Sequence, residues 1–270
     1  MIIGINGKIG SGKDTVGKII QYLVDFYTLK RNFPEDIPDN IPDNPNEKDF
    51  DDWLFNDGDD NENNIWKIKK FAGKLKQIAS LLTGIDVEDL EKEEVKNSVL
   101  GEEWWYYGDM GERISYLRHN PTEQDKKYLT KPTVRQFLQR LGTEAIRNNI
   151  HENAWVNALF VDYKTVSLPD ETTFIKDDKK WIDERSSKWI ITDVRFPNEL
   201  KAVKDRKGIC IRINRLNSTP QTTFVNKHDR THPSETALDN AEFDYVIDNN
   251  STINDLIRKV KTILIKKKII

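Results

Sequence analysis

The stretch MIIGINGKIGSGKDT, residues 1–15, decides the fold of this chain. It begins with a short apolar run that is typical of a buried strand, and the residues after Lys13 begin a helical pattern. Between the two, Gly7, four further residues, Gly12 and Lys13 have the spacing of a phosphate-binding loop. The sequence therefore predicts a strand, a glycine-rich loop and a helix in direct succession.

The glycine-rich loop has the chemistry of an anion site. Glycines let the backbone curl until successive N–H groups point at one place, and the positive end of the following helix faces that same place. The lysine adds a charge that reaches the terminal phosphates of a nucleotide. A glycine turn that binds nothing is the alternative. We expect the following residues to bind the phosphates: Gly7, Gly10, Ser11, Gly12, Lys13, Asp14 and Thr15.

Asp14 departs from the usual motif, in which a serine or threonine follows the lysine and binds magnesium through its hydroxyl. A carboxylate is a stronger ligand for a hard cation, and it adds negative charge near the phosphates. We expect Thr15, one position later, to keep the contact with Mg²⁺, and Asp14 to act nearer the second substrate or through water.

The composition favours a single cytoplasmic domain. A chain of 270 residues buries one good core, and we expect residues 1–270 to form one domain with accessory segments. The single cysteine, Cys210, excludes an internal disulfide, and its apolar run GICIRI is typical of a buried strand. No apolar run approaches the roughly 20 residues of a membrane span, and the first residues have the pattern of a strand and not of a signal peptide.

The charge is unevenly distributed. Residues 33–64 contain twelve acidic residues and one basic residue, a net charge of −11, so the remainder carries +8 of the total of −3. Four prolines also occur there, at positions 34, 38, 42 and 45. We expect this segment to be an exposed insertion that cannot sustain a helix and buries little. The basic remainder suits a polyphosphate substrate, and its charge is too dispersed to indicate direct DNA binding.

Apolar runs that alternate with helical patterns predict an α/β fold, a parallel sheet flanked by helices. The predicted strands after the first are residues 66–71, 188–194, 208–213 and 245–247, and the predicted later helices are residues 74–82, 133–148 and 253–265. Residues 84–131 are an accessory segment, whose aromatic cluster at positions 104–107 is explained most simply by packing.

Polar residues follow a later strand, at the sheet edge where ligands of such folds bind. The run IITD ends in Asp193, which we expect to hold Mg²⁺ through water; the alternative is a salt bridge with Arg195 that caps the strand end. The guanidinium of Arg195 matches the oxygens of a phosphate. Glu199 either orients Arg195 or begins the next helix.

Residues 212–235 are polar and basic, which is typical of a mobile lid that excludes water from a transferring phosphoryl group. Their basic side chains are Arg212, Arg215, Lys227, His228, Arg230 and His232. A solvated loop is the alternative. We expect His232 to be a structural hydrogen-bonding residue, since no second histidine or cysteine lies at metal-ligand spacing.

Six motifs follow one another along the chain: GKIGSGKDT, FAGKLK, RQFLQRLGTEAIRNN, ITDVRFPNE, THPSE and FDYVIDNNSTINDL. This ordered set resembles the bacteriophage deoxynucleoside monophosphate kinases. The resemblance covers the chain except the acidic segment and most of residues 84–131. We expect residues 84–131 to be an accessory insertion on the acceptor side. It implies the P-loop nucleoside monophosphate kinase fold, and transfer of the γ-phosphoryl group of ATP to a deoxynucleoside monophosphate with Mg²⁺.

The resemblance also implies an acceptor site. Lys76 and Arg135 are similar to contacts with the acceptor's phosphate, and Gln139 lies one helical turn from Arg135 on the same face. Trp155 resembles an aromatic wall on which the base stacks.

Further roles are implied on the donor side. Arg195 resembles a phosphate clamp, Arg215 resembles a lid arginine, and Asn249 resembles part of the adenine pocket. Together with the residues already identified from the motifs, the expected catalytic residues are Lys13, Arg135, Asp193, Arg195 and Arg215.

Two other functions share part of these features. A related small-molecule kinase, such as a dephospho-coenzyme A kinase, has the same loop and lid with a different acceptor. A regulatory P-loop protein hydrolyses ATP to move a partner, although the chain has no evident effector domain. We expect ATP and a deoxynucleoside monophosphate as partners, no DNA and no membrane, in the cytoplasm (of the host, if the gene is a phage's). The sequence is compatible with a homodimer.

Overall fold

The computed structural model describes residues 1–32, 44–56, 64–107, 115–116, 129–163, 187–216 and 232–270. Their contacts divide them into two compact units. The first unit comprises the described residues within 1–71, 156–216 and 232–270, and the second unit comprises those within 72–155. That residues 1–270 form a single domain stays a prediction.

Short strands occur in both units. In chain order they are β1 (Ile2–Gly7), β2 (Lys67–Lys69), β3 (Tyr106–Tyr107), β4 (Ser115–Tyr116), β5 (Leu129–Thr130), β6 (Trp189–Ile191), β7 (Ile209–Asn214) and β8 (Tyr245–Asp248). The first unit contains a five-stranded sheet in the order β2-β6-β1-β7-β8, and every pairing in it is parallel. The predicted α/β class with a parallel sheet is therefore confirmed.

Helices follow most of these strands. In chain order they are α1 (Lys13–Asn32), α2 (Glu47–Asn56), α3 (Ala72–Thr83), α4 (Glu93–Asn97), α5 (Val134–Gln139), α6 (Ala154–Phe160), α7 (Pro197–Asp205), α8 (Pro233–Thr236) and α9 (Ile253–Lys266). Two 3₁₀ turns lie at Asp89–Glu91 and Glu102–Trp104, and a π-helix lies at Arg140–Arg147. No helix among the described residues has the length and apolar character that a membrane span needs.

The core of the first unit explains why β1 is central. Ile2, Ile3 and Ile5 are completely buried between the helices on the two faces of the sheet. α1 carries an acidic residue in its first turn and two basic residues in its last turn, which complement the helix dipole. Burial of each isoleucine contributes about 1.5–3 kcal/mol, so the strand before the loop is held firmly.

The acidic segment differs from the prediction. The expectation that residues 33–64 are exposed and cannot sustain a helix is wrong over Glu47–Asn56, which forms α2. The prolines all precede this helix, and its acidic first turn favours the helix N-terminus. Phe50 is 2% exposed and packs on Tyr22 at 5.5 Å between ring centroids, although Phe55 is exposed. Residues 33–43 and 57–63 lie outside the described residues.

The second unit contains the predicted helix at residues 133–148 in two parts. Thr133 and Gln136 form a capping box at its start, and α5 then passes into the π-helix. The indole Nε1 of Trp155 donates to the carbonyl of Gly142 in the π-helix at 2.8 Å. As expected for the aromatic cluster, Trp104 packs on Phe137 at 4.9 Å between ring centroids.

Candidate active site

The glycine-rich loop connects β1 to α1. Gly10 and Gly12 have φ angles of +77° and +90°, in the left-handed region that favours glycine. Ser11 N donates to the carbonyl of Lys8 at 3.1 Å, which closes the loop. The hydroxyl of Ser11 is buried with no hydrogen-bond partner among the described residues. The predicted nucleotide-binding stretch, Gly7 to Thr15, therefore has the local backbone that its glycines predict.

Lys13 is the first residue of α1 and lies among charged groups. Burial and the guanidinium of Arg195 hold the pKa of Lys13 below its ordinary value, against the opposing effects of Asp14, Glu235 and Asp193. A nearby phosphate favours the charged form of this ammonium group. The contact of Lys13 with nucleotide phosphates stays a prediction.

Asp14 is held by two residues that follow neighbouring strands. Its Oδ1 accepts a hydrogen bond from the hydroxyl of Thr192 at 2.9 Å and lies 3.5 Å from Nζ of Lys70. Burial opposes the charge of Asp14, yet Lys70 and Lys13 lower its pKa below the ordinary value. Sequence reasoning missed Thr192 and Lys70, although each directly follows a strand at the ligand-binding edge of the sheet.

Asp193 lies in the turn after β6, because that strand ends three residues earlier than predicted, at Ile191. Its carboxylate is buried, and Oδ1 accepts from the backbone N–H of Phe71 at 2.8 Å. The described residues contain no group of three or more His, Cys, Asp or Glu side chains that holds a metal ion by itself. The magnesium contacts of Thr15 and Asp193 stay predictions.

Arg195 is fixed through both its backbone and its side chain. Its backbone N–H donates to Oε2 of the buried Glu199 at 2.8 Å, and that carboxylate also caps α7. Glu199 thus both caps the N-terminus of α7 and orients the backbone of Arg195. The guanidinium donates to Oε1 of Glu235. Burial opposes its charge, but Glu235, Asp193 and Glu199 raise the pKa of Arg195 above the ordinary value.

Glu235 was not predicted as a site residue. Its side chain is 6% exposed, and besides Arg195 it accepts from the backbone N–H of Ile9 at 3.2 Å. Its backbone carbonyl accepts from Nζ of Lys8, which also pairs with Asp239. The signal for this residue in the sequence was the THPSE motif, in which no side chain except His232 was considered.

The predicted adenine-pocket residue Asn249 contacts the loop. Its Nδ2 donates to the carbonyl of Ser11 at 2.9 Å, and its backbone N–H donates to the carbonyl of Asn214 at 2.7 Å. A Cβ on Gly12 would lie 2.5 Å from Nδ2 of Asn249. Asn249 therefore supports the glycine-rich loop, and its contact with adenine stays a prediction.

The predicted lid lies largely outside the described residues, since these omit 217–231. At its start, Arg212 belongs to β7 and donates to the carbonyl of Leu238 at 2.7 Å, so the polar segment begins later than predicted. Arg215 follows β7 and is exposed. His232 Nδ1 lies 2.9 Å from the hydroxyl of Ser234 and caps α8, which confirms its structural role.

The predicted acceptor residues Lys76, Arg135, Gln139 and Trp155 all belong to the second unit. Lys76 is buried and forms an ion pair with Glu91. Nη2 of Arg135 lies 2.5 Å from Oε2 of Glu93, and its Nε donates to Oδ1 of Asn97 at 3.4 Å.

Two of these acceptor residues have structural surroundings of their own. Gln139 is the last residue of α5, and Trp155 is 6% exposed. Trp155 therefore packs as a core residue of the second unit. The acceptor contacts of all four residues stay predictions.

Comparisons with known proteins agree with the fold and the loop. A sequence model of the deoxynucleotide monophosphate kinase family matches residues 1–260. A deoxynucleoside-5'-monophosphate kinase of Escherichia phage T5 is 26% identical over 268 residues, covering 88% of this chain and 85% of the relative. A putative deoxynucleotide monophosphate kinase of Acanthamoeba polyphaga mimivirus is 26% identical over 136 residues, 47% of this chain and 59% of the relative. This chain belongs to the deoxynucleotide monophosphate kinase family.

Proposed function

We propose that this chain transfers the γ-phosphoryl group of ATP to a deoxynucleoside 5'-monophosphate, giving the diphosphate and ADP. The observation that carries the proposal is the match of the family model to residues 1–260. In the same chain, a glycine-rich loop connects β1 of the parallel sheet to α1. Family membership implies a kinase that uses ATP as the phosphate donor.

In this proposal the loop holds the donor. Backbone N–H groups of the loop and the N-terminus of α1 surround the phosphates, because both present donors and a positive dipole. Lys13 neutralises charge on the terminal phosphates, and Arg195 binds the transferring group through its guanidinium fork. Arg215, which is exposed after β7, is the lid arginine of this proposal.

Magnesium fits the donor set of this site. Mg²⁺ keeps several waters and binds through one or two carboxylates together with substrate phosphates, so a dedicated cage is not needed. The hydroxyl of Thr15 and the carboxylate of Asp193, the latter through water, would hold it. When bound, Mg²⁺ supplies charge neutralisation at the β- and γ-phosphates. Asp14 keeps its hydrogen bond from Thr192 and its ion pair with Lys70.

The second unit supplies the proposed acceptor contacts. Arg135 and Lys76 bind the 5'-phosphate of the monophosphate, Gln139 adds a polar contact, and Trp155 stacks on the base. Both cations carry carboxylate partners in the described structure, Glu93 and Glu91. These carboxylates hold the two cations in place before the substrate arrives. A phosphate therefore binds either by replacing the carboxylate or by joining it beside the cation.

The experiment that tests the proposal measures products. The purified chain is incubated with ATP and magnesium and each of the four deoxynucleoside monophosphates, with ribonucleoside monophosphates and dephospho-coenzyme A in parallel. We expect a deoxynucleoside diphosphate and ADP in equal amounts, and no product from the Lys13→Met variant. Coenzyme A as the product would replace this function with the related kinase activity. ADP and inorganic phosphate with every acceptor would replace it with ATP hydrolysis.

A further inference from the structure

We propose that Glu235 is a positioning residue for phosphoryl transfer. Its carboxylate joins the guanidinium of Arg195 to the backbone of the glycine-rich loop, so that the phosphate clamp and the loop hold one relative position. The proposal rests on the proposed function for what Arg195 contacts. It adds a residue that neither the motif nor the family resemblance assigned to the site.

The two oxygens of Glu235 have partners on different parts of the first unit. Oε1 accepts from Nη1 of Arg195, and Oε2 accepts from the N–H of Ile9 at 3.2 Å. The side chain is 6% exposed, so water offers little competition for either contact. A carboxylate has two oxygens and several lone pairs, and a neutral side chain of the same shape cannot accept at both ends.

The backbone around Glu235 is tied to the same loop. Its carbonyl accepts from Nζ of Lys8, and Lys8 also pairs with Asp239 three residues beyond α8. α8 is four residues long and begins with a proline, so its own hydrogen bonds contribute little to its stability. The contacts with the loop and with Arg195 therefore fix the place of Glu235.

The pairing leaves the guanidinium able to bind phosphate. An arginine carries five N–H donors, and the contact with Glu235 uses Nη1 alone of the two terminal nitrogens. The carboxylate of Glu235 also offsets the repulsion between the charges of Arg195 and Lys13. Glu235 thus orients Arg195 and keeps two cations close together.

The test compares Glu235→Gln with Glu242→Gln, a matched change at an exposed position in the same part of the chain. Wild type and variants are assayed for deoxynucleoside diphosphate and for ADP, with melting temperatures measured in parallel. We expect Glu235→Gln to lower kcat at least about tenfold while both KM values stay within about threefold, because the lost contact acts in the transition state. Glu242→Gln keeps the activity of the wild type.

A double variant separates positioning from a structural role. In an Arg195→Ala background we expect Glu235→Gln to lower kcat no more than about twofold, because its effect acts through the missing guanidinium. If Glu235→Gln is unfolded, Glu235→Asp is used, because it keeps the charge and is too short to reach both partners.

Two results would overturn the proposal: a kcat of Glu235→Gln within about threefold of wild type, or effects that multiply in the double variant. Absence of any diphosphate product from the wild type would instead refute the proposed function. In that case the same variants are compared by their rates of ADP release, and the same two results would overturn the role of Glu235.

Discussion

Phe50 gives the sharpest test of the structure, because the sequence predicted its segment to be exposed. Its ring is 2% exposed in the core of the first unit and lies 5.5 Å from the ring of Tyr22 and 6.2 Å from that of Trp53. Truncation to alanine removes these contacts and leaves a cavity. Phenylalanine-to-alanine changes in cores cost about 3–5 kcal/mol, and we expect Phe50→Ala to fall in that range.

The matched control lies on the same helix. Phe55 is also in α2, and its side chain is 90% exposed. Phe55→Ala changes helix propensity by the same amount as Phe50→Ala, so the difference between the two variants reports burial. A surface change of this kind stays within about 0.5 kcal/mol.

Thermal denaturation followed by circular dichroism measures the difference. For a chain of this size about 1 kcal/mol corresponds to about 2–4 °C, so Phe50→Ala lowers Tm by about 6–20 °C and Phe55→Ala by about 2 °C or less. Equal melting temperatures for the two variants would refute the packing of α2 on the core. For the same reason, deletion of residues 35–62, which removes α2, destabilises the chain at least as much as Phe50→Ala.

Four further outcomes follow from the site and the core. Lys13→Met abolishes nearly all phosphoryl transfer while the circular dichroism spectrum and melt stay unchanged, and activity within tenfold of wild type would exclude the role of the lysine. Thr15→Ala raises the magnesium concentration needed for half-maximal activity, whereas Asp14→Ser lowers kcat with little change in that concentration; the reverse pattern would make the carboxylate the direct ligand. Trp155→Ala lowers the free energy of unfolding by about 3–5 kcal/mol, because the ring is buried. If the ring is also the wall on which the base of the acceptor stacks, Trp155→Phe keeps the acceptor KM near that of wild type, because an aromatic ring remains there. Burial and then Asp244 raise the pKa of Cys210 to about 12, so the unfolded chain loses this proton first as pH rises above about 8.5. Urea titrations from pH 8 to pH 11 show the free energy of unfolding falling by up to about 1.4 kcal/mol per pH unit from this thiol, a slope that Cys210→Ala lacks.

The sheet and its loop could be predicted because local signals agree with tertiary structure there. β1, β7 and β8 are apolar runs bounded by glycine or polar residues, and the observed ends of β7 and β8 lie within one residue of the predicted ones. β6 is shorter than predicted and ends at Ile191, although the backbone N–H of Thr192 still donates to the carbonyl of Lys69 at 3.3 Å. The side chains of the next two residues contact Asp14 and the backbone N–H of Phe71.

Two elements escaped prediction for different physical reasons. In α2 the acidic composition concealed the apolar spacing of Phe50, Trp53 and Leu54, which share one helix face. In the π-helix at Arg140–Arg147 the period of apolar residues over eight positions is too short to distinguish π from α geometry. The hydrogen bond from the indole N–H of Trp155 to the carbonyl of Gly142 is a tertiary contact, so no local sequence pattern predicts it.

The site residues that sequence reasoning missed share one property. Glu235, Thr192 and Lys70 act through partners far away in the chain, and each partner bears the opposite charge or a complementary hydrogen-bonding group. Motif spacing identifies groups that touch a substrate, because the substrate fixes their geometry. Groups that position other side chains have no fixed spacing in the sequence, so they are identified only from the three-dimensional structure.

Three of the predicted phosphate-binding cations already have carboxylate partners. The pairs are Arg195–Glu235 in the first unit and Lys76–Glu91 and Arg135–Glu93 in the second unit. A phosphate that binds such a cation exchanges one anion for another, so its net gain in free energy is smaller than at an unpaired cation. Lys13 differs, because burial and Arg195 lower its pKa despite the nearby carboxylates, so that a phosphate beside it favours the charged form. We therefore expect the glycine-rich loop and Lys13 to supply most of the affinity for nucleotide, and the paired cations to supply orientation, which increases kcat more than it lowers KM.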